Sequence, residues 1–269
     1  MKDIEIFHEH FWKPFTTFGL NQKFLYLSAD TLIFTWVVLG VIIVLSILAR
    51  IAIKKPNSIA GHAVLQLVGA AVSMAQQALG IFSEKYSIYV AILFGYIFLC
   101  NTVVLLPFCE EPTKDINTTL ALALLSFFYI QKETFLAKGL IDYLQVYFMW
   151  PFAVRSHKIT LLNFPWLIIK IILNTVIGFI GLPLEILSKF ASVISLAFRL
   201  FGNIFGGAII TDLWKNVLVV HPAIQVIGIV SGINLIIAFF FGFFEGFIQA
   251  FVFSTLSITY LGISLGEGH

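Results

Sequence analysis

Charge is the scarcest property of this sequence. Of its 269 residues only 11% are Asp, Glu, Lys or Arg, while 59% are hydrophobic; water-soluble domains run near a quarter charged and half apolar. A water-soluble fold does not fit. The charges almost cancel, leaving a net +2, and no basic patch interleaved with aromatics is present, so nucleic acid is not expected as a partner. The two cysteines, Cys100 and Cys109, are too few and too oddly placed for a metal cluster or a disulfide framework, and buried or lipid-facing thiols are expected instead. The apolar runs lack the alternation that barrel strands need. The first thirty residues lack a basic start followed by an apolar stretch, so no cleavable signal is expected. A haem- or quinone-carrying subunit needs His inside its spans, yet only His62 comes near a helix face. A secondary transporter normally carries paired repeats, and none is found.

What the sequence does have is long apolar runs. Residues 31–53 and 86–107 are each long enough to cross a hydrocarbon layer of roughly 30 Å as a helix. A third span covers 117–130 with a polar continuation, and two longer segments cover 166–219 and 223–264. The last two exceed a simple crossing, so they must be tilted, interrupted or partly interfacial. Residues 58–82, with Gln66, Ser73, Gln76 and Gln77 among small and apolar neighbours, suit a helix lying in the membrane surface. Residues 140–150, with Tyr143, Tyr147 and Trp150, read as a second interfacial stretch. The expected fold is all-α: one polytopic membrane domain over 1–269 with about five membrane helices, plus interfacial amphipathic helices. Residues 1–29 form an external polar segment, and residues 160–266 a long, tilted helical hairpin.

Lys and Arg set the orientation. Arg50, Lys54, Lys55 and Lys85 flank one loop, and Lys132, Lys138, Arg155 and Lys158 occupy the loop after the third span. Both loops are expected in the cytoplasm. Five crossings then leave the amino terminus outside and Glu267 inside, with the acidic loop of Glu110, Glu111 and Asp115 facing outward. Lys2, Lys13 and Lys23 dissent mildly.

Arg199 lies deep in an apolar stretch, and an intramembrane ionisable residue points to function. Arginine does not discharge inside proteins, so the position keeps a permanent positive charge. At about 100° per residue, Glu185, Ser188, Ser192, Ser195 and Asn203 fall within roughly 40° of Arg199, with Gly206 alongside. Ile186, Leu187, Phe190, Val193, Ile194, Phe198 and Phe201 fill most of the remaining surface. A polar stripe several turns long suits a lined pathway better than one buried ion pair. Asn234, Glu245 and Gln249 share a second face, within about 60° of one another. A turn just past His221 and Pro222 makes the two segments antiparallel and brings Gln249 to about the depth of Arg199. Elsewhere, Glu185 and Lys189 are spaced to pair, Lys170 suits a snorkelling helix end, and Asp212 points about 140° away from Arg199. His8, Glu9 and His10 are read as surface residues rather than a metal site. Phe239, Phe240, Phe241, Phe243 and Phe244 are read as a packed or lipid-facing surface rather than a cofactor box.

Arg199-Leu-Phe-Gly-Asn203, and Gln249-Ala-Phe-Val-Phe253 followed by Tyr260-Leu261, resemble the paired signatures of subunit a of F-type ATP synthases. The stretch Glu111-Pro-Thr-Lys-Asp-Ile-Asn117 is similar to the segment opening an earlier span in bacterial members. The resemblance covers roughly residues 100–266 in the same order; the first hundred residues match only in layout. It implies a non-catalytic stator in the bacterial inner membrane, set against a rotating ring of c subunits and held with the peripheral-stalk b subunits and other ATP synthase subunits. Two half-channels carry protons or sodium ions to and from the ring carboxylates, and no cofactor is implied. The family's essential arginine maps onto Arg199, its asparagine onto Asn203, its glutamine onto Gln249 and its preceding acid onto Glu185. Two positions depart: where the family commonly has a glutamate stands Ala208, and where a His or acid often precedes the glutamine stands Gly242. Glu245, one turn closer to Gln249, is the expected substitute. Ser192, Ser195 and Asn234 complete the expected pathway.

Overall fold

The computed structural model describes residues 11–12, 27–55, 58–106, 109, 111–147, 164–220 and 232–266. A two-residue antiparallel ladder, β1 (Phe11–Trp12) with β2 (Leu27–Ser28), precedes the first helix. Everything else of regular structure among the described residues is helical. The helices are α1 (Ala29–Ile53), α2 (Ile59–Leu79), α3 (Glu84–Thr102), α4 (Ile116–Tyr147), α5 (Phe164–Val220), α6 (Ile233–Phe239) and α7 (Gly246–Leu265), the last two joined by a π-helical turn, Phe240–Glu245. Six stretches are long and apolar enough to cross a membrane, and the chain is a multi-pass, all-α membrane protein. Five coincide with the expected spans. The sixth is α2, read above as interfacial: its polar side chains dilute its apolar character without shortening it.

Local chemistry explains several boundaries. Ser28 caps α1, its hydroxyl accepting from the Thr31 amide at 3.3 Å, with Asp30 in the first turn and Arg50 in the last. Ser58 caps α2 in the same way, accepting from the Gly61 amide at 3.0 Å. Gly80 ends α2 in the left-handed conformation, φ 75°. Within α4 the backbone breaks at Gly139 (φ 75°, ψ 172°), so residues 140–147 leave the span on a new course. Tyr143 then donates to Gln131 Oε1 at 2.9 Å, although twelve residues of straight helix span about 18 Å. The chain has doubled back, and the second expected interfacial stretch begins at this fold.

The core sits where α3, α4, α5 and α7 meet. Leu93 and Ile97, Ala123, Val193, Leu196, Ala197, Leu200 and Ile204, and Ala250 and Phe253 form one buried cluster. The α5 members recur at three- and four-residue intervals, giving one inward stripe. On the opposite face Leu187, Phe190, Ile194 and Phe198 are exposed, as suits a surface that meets lipid or another apolar chain. A second cluster joins Ala75 and Leu79 of α2 to Val90, Ile130, Ile258 and Leu261. Near the same end Lys85 bonds the buried Glu133, pairing α3 with α4. In a third cluster Val38 of α1 packs with Cys100 and Val103; both cysteines are free thiols. Among the phenylalanines, Phe239, Phe240, Phe243 and Phe244 are exposed, while Phe243 stands edge-on to Phe98. The expected turn after Pro222 and the His8–His10 segment lie outside the described residues, as does the side chain of Lys170.

Small residues allow these helices to approach closely, as packing in lipid requires. A methyl group on Gly262 of α7 would lie 2.9 Å from the backbone oxygen of Ala78 in α2. Gly262→Ala is therefore expected to destabilise the subunit by about 1–3 kcal/mol, read as a lower temperature at which it leaves the purified complex. Gly40→Ala, where a methyl meets nothing within 4 Å, serves as the control and leaves that temperature unchanged or slightly higher.

Candidate functional site

The polar stripe of α5 is divided between two cavities. Toward its amino-terminal side Glu185, Ser188, Lys189 and Ser192 line a cavity of about 210 Å³. The opposite wall comes from α4, with Ser126, Gln131 and Lys138, and from α7, with Tyr260 and Ser264. Glu185 and Lys189 do pair, at 3.4 Å, and both remain part of the lining. The Ser192 hydroxyl donates back to the Lys189 carbonyl at 2.8 Å. Behind this wall Ser126 Oγ lies 2.6 Å from the Tyr89 hydroxyl and 3.2 Å from Ser257 Oγ, a hydroxyl chain linking α3, α4 and α7. The fold at Gly139 also matters here, because it brings the Tyr143 ring to 5.9 Å from the Lys189 ammonium.

The second cavity, about 160 Å³, lies toward the carboxyl-terminal side of α5. Asn203, Gly207, Ala208, Thr211 and Lys215 line it, with Gly242 and Glu245 of the π-helical turn and Glu111 of the α3–α4 connection. The two positions that lack the family's polar groups, Ala208 and Gly242, thus face the same space as Glu245. Close packing fixes the turn: a methyl on Gly207 would meet the Phe241 ring at 2.7 Å, and one on Gly242 would meet Val104 at 2.9 Å. π-Helical turns insert an extra residue and often mark functional positions. The even 100° count therefore does not run through from Asn234 to Gln249; Asn234 sits in α6, and its side chain is outside the described set.

Between the cavities stand Ser195 and Arg199, both exposed. Among the described residues no carboxylate lies within salt-bridge reach of Arg199. One turn further along, Asn203 Nδ2 donates to Gln249 Oε1 at 2.9 Å, joining α5 to α7. Gln249 is 2% exposed, and its Nε2 has no partner among the described residues. Gln249 thus stands opposite Asn203, about one helical turn from the expected depth at Arg199. Asp212 turns elsewhere and pairs with Lys215 at 3.5 Å.

Of the residues expected from sequence, Glu185 and Ser192 belong to one cavity, Asn203 and Glu245 to the other, and Arg199 and Ser195 to the face between. Sequence reasoning missed the opposite walls, namely Ser126, Gln131, Lys138, Tyr260 and Ser264 on one side and Glu111 on the other, and it missed Thr211 and Lys215 further along α5. The face arithmetic compares residues on one helix only. Glu111 carried a signal as part of an acidic loop, but nothing in the loop's spacing aims it at α5 and α7. Among the described residues no cluster of His, Cys, Asp or Glu could hold a metal ion.

Comparison with known proteins agrees with the signatures. Residues 32–262 match the sequence model of the family described as ATP synthase A chain. The chain is 30% identical over 212 residues to ATP synthase subunit a of Campylobacter curvus, covering 77% of each chain. It is 28% identical over 207 residues to ATP synthase subunit a 2 of Acaryochloris marina, covering 76% of this chain and 77% of the relative. Similarity to ATP synthase subunit a of Geotalea daltonii, at 25% identity, extends over 98% of both chains. With two cavities on one long helix, an exposed arginine between them and a family match along most of its length, the chain belongs to the ATP synthase A chain family.

Proposed function

We propose that this subunit is the stationary ion channel of a rotary F-type ATP synthase, and that its two cavities are half-channels to a partner ring of c subunits. The observation that carries this reading is the division of the α5 stripe. Ser192 and Asn203 line different cavities yet are separated by only about 16 Å of helix, and exposed Arg199 stands between them. An ion entering one cavity has no lined route to the other past a fixed positive charge. It must transfer to a carrier that passes Arg199, and a membrane-embedded carboxylate on a rotating ring is such a carrier. The guanidinium favours the ionised form of an arriving carboxyl, so the carboxyl releases its proton or sodium ion there. Lysine is a poorer substitute because burial discharges it readily. The subunit itself performs no bond chemistry; b subunits of a peripheral stalk hold it against the ring.

The proposed membrane is the bacterial inner membrane, with the cavity of Glu185 opening to the cytoplasm and that of Glu245 opening outside. Lys85, Lys132 and Lys138 support this orientation. Lys85 bonds Glu133, and Lys138 Nζ lies 3.9 Å from where a side chain on Gly266 would begin. These basic residues thus share one end of the bundle with the carboxyl end of α7. With Lys54 and Lys55 before α2 and Lys85 just after it, α2 lies along the cytoplasmic surface although it is long enough to cross. The amino terminus is then external and the carboxyl terminus cytoplasmic. Single cysteines at positions 57, 83 and 157 should resist impermeant thiol reagents applied to intact cells; labelling of all three from outside reverses the orientation.

Arg199→Ala should abolish ATP-driven ion pumping by the purified, reconstituted complex while leaving its subunit composition intact, because the charge acts on a passing carboxylate and bonds no acid among the described residues. Pumping that survives this substitution refutes the mechanism.

Glu245 supplies the outer relay that Ala208 and Gly242 cannot. Its carboxyl can hold and pass the ion in a cavity where those two positions contribute no polar side chain. Glu245→Gln should reduce ATP-driven pumping severely, by about a hundredfold, whereas Asp212→Asn should pump almost normally, since Asp212 pairs with Lys215. Adding Ala208→Glu to Glu245→Gln should restore part of the loss, because both positions line one cavity. Near-normal pumping by Glu245→Gln rules out this role.

A further inference from the structure

The connection between α3 and α4 contains three acids in close sequence, Glu110, Glu111 and Asp115, and the structure gives two of them different duties. Asp115 is occupied at the start of α4, where its Oδ1 accepts from the Asn117 amide at 2.9 Å. Glu111 joins Asn203, Glu245 and Lys215 in lining the outer cavity. Glu110 lies outside the described residues. Glu111 owes its place to an anchored turn rather than a loose loop. It precedes a short 3₁₀ helix, Pro112–Lys114, whose Pro112 and Thr113 are buried. The Thr113 hydroxyl donates to Asn101 Oδ1 at 2.6 Å, and Asn101 is fully buried in α3.

Asn101 fixes the other side of the cavity as well. A methyl on Gly246 would fall 2.8 Å from Asn101 Cβ, so the residue directly after Glu245 is packed onto the side chain that anchors the turn carrying Glu111. One buried asparagine thereby sets the placement of two carboxylates from distant parts of the sequence around one cavity.

We infer that Glu111 is a second ion-transfer carboxylate of the outer cavity, taking the cation from external water and passing it to Glu245. The inference rests on the channel reading above. The step is a transfer only: a proton, or a desolvating sodium ion, leaves water for the Glu111 carboxylate and leaves that carboxylate for Glu245, with no bond to carbon formed or broken. In ATP-driven pumping the same two carboxyls work in the reverse order, releasing the cation to external water, and loss of one relay carboxyl slows the transfer by about tenfold or more. Lys215 of α5 lines the same cavity and places a fixed cation beside this route, which the negative charge at position 111 offsets.

The test uses the whole complex in inverted membrane vesicles, with Cys100 and Cys109 both changed to Ala and ATP-driven uptake read for protons and for sodium. Glu111→Gln should lower pumping about tenfold or more, and Glu111→Asp should keep most of it. Glu111→Cys should be as slow as Glu111→Gln and should regain most of its rate after a membrane-impermeant, carboxylate-bearing thiol reagent is applied to the outer face of cells before the vesicles are made. A neutral reagent of the same size should restore nothing, which separates charge from bulk and packing. Pumping by Glu111→Gln within twofold of the parent overturns the inference, as does equal restoration by the neutral and anionic reagents. If Arg199→Ala stops pumping while Glu111→Gln pumps normally, this inference fails alone; if Arg199→Ala still pumps, the reading beneath it fails.

Discussion

The hydrogen bond from Asn203 to Gln249, 2.9 Å long, sets the register between the two helices on which every functional position depends. A slip of one turn moves side chains along α7 by about 5 Å, enough to take Glu245 away from Ala208 and Tyr260 away from Ser192. In lipid there is little hydrophobic force to hold one register over another, so packing and interhelical hydrogen bonds must do it. Leaving either amide unpaired in an apolar layer is costly. The bond is worth more as a selector of alignment than as a contribution to stability, since such bonds in membrane proteins average well under 1–2 kcal/mol.

That alignment also needs close contact, and the glycines supply it where side chains would intrude. Gly207 faces the Phe241 ring, Gly242 faces Val104 and Leu105, and Gly246 faces Asn101. All three lie around the outer cavity, which is bounded by backbone surface and by rings pressed into it. The inner cavity is built differently, from hydroxyls, one amide and paired charges on three elements. The proposed outer route therefore depends on two acids in a tight space, whereas the inner one offers many exchangeable hydroxyls.

Much of this was legible in the sequence for identifiable reasons. Spans announce themselves because a helix must be apolar over about twenty residues to cross. The α5 stripe could be read because an uninterrupted helix keeps its 100° count from Glu185 to Asn203; its division, with Glu185 and Ser192 in one cavity and Asn203 in the other, could not. The count fails at residues 240–245, where a π-helical turn adds a residue among four phenylalanines that carry no signal of it. The class of α2 could not be read from hydropathy, because its length and average composition suit a span while its flanking charges suit a surface helix. Glu111 escaped because its position depends on a buried Asn101–Thr113 bond between residues twelve apart, a tertiary contact that no periodicity encodes.

The distribution of charge along α5 gives the last step. At one end Glu185 and Lys189 satisfy each other, and at the other Asp212 and Lys215 do the same. The central charge, Arg199, has no such partner among the described residues. Helix geometry keeps it so: Glu185 and Asp212 are roughly 20 Å away along the axis in opposite directions, beyond the reach of either side chain. A permanent cation in an apolar layer is expensive unless paired or wetted, and here an exposed face delivers it to the protein's outer surface. Under the proposed function the compensating anion comes from outside this chain. In the proposed mechanism, the same isolation that makes Arg199 costly in the subunit alone is what makes it available to each carboxylate of the ring in turn, and an internal acid within reach would remove that availability.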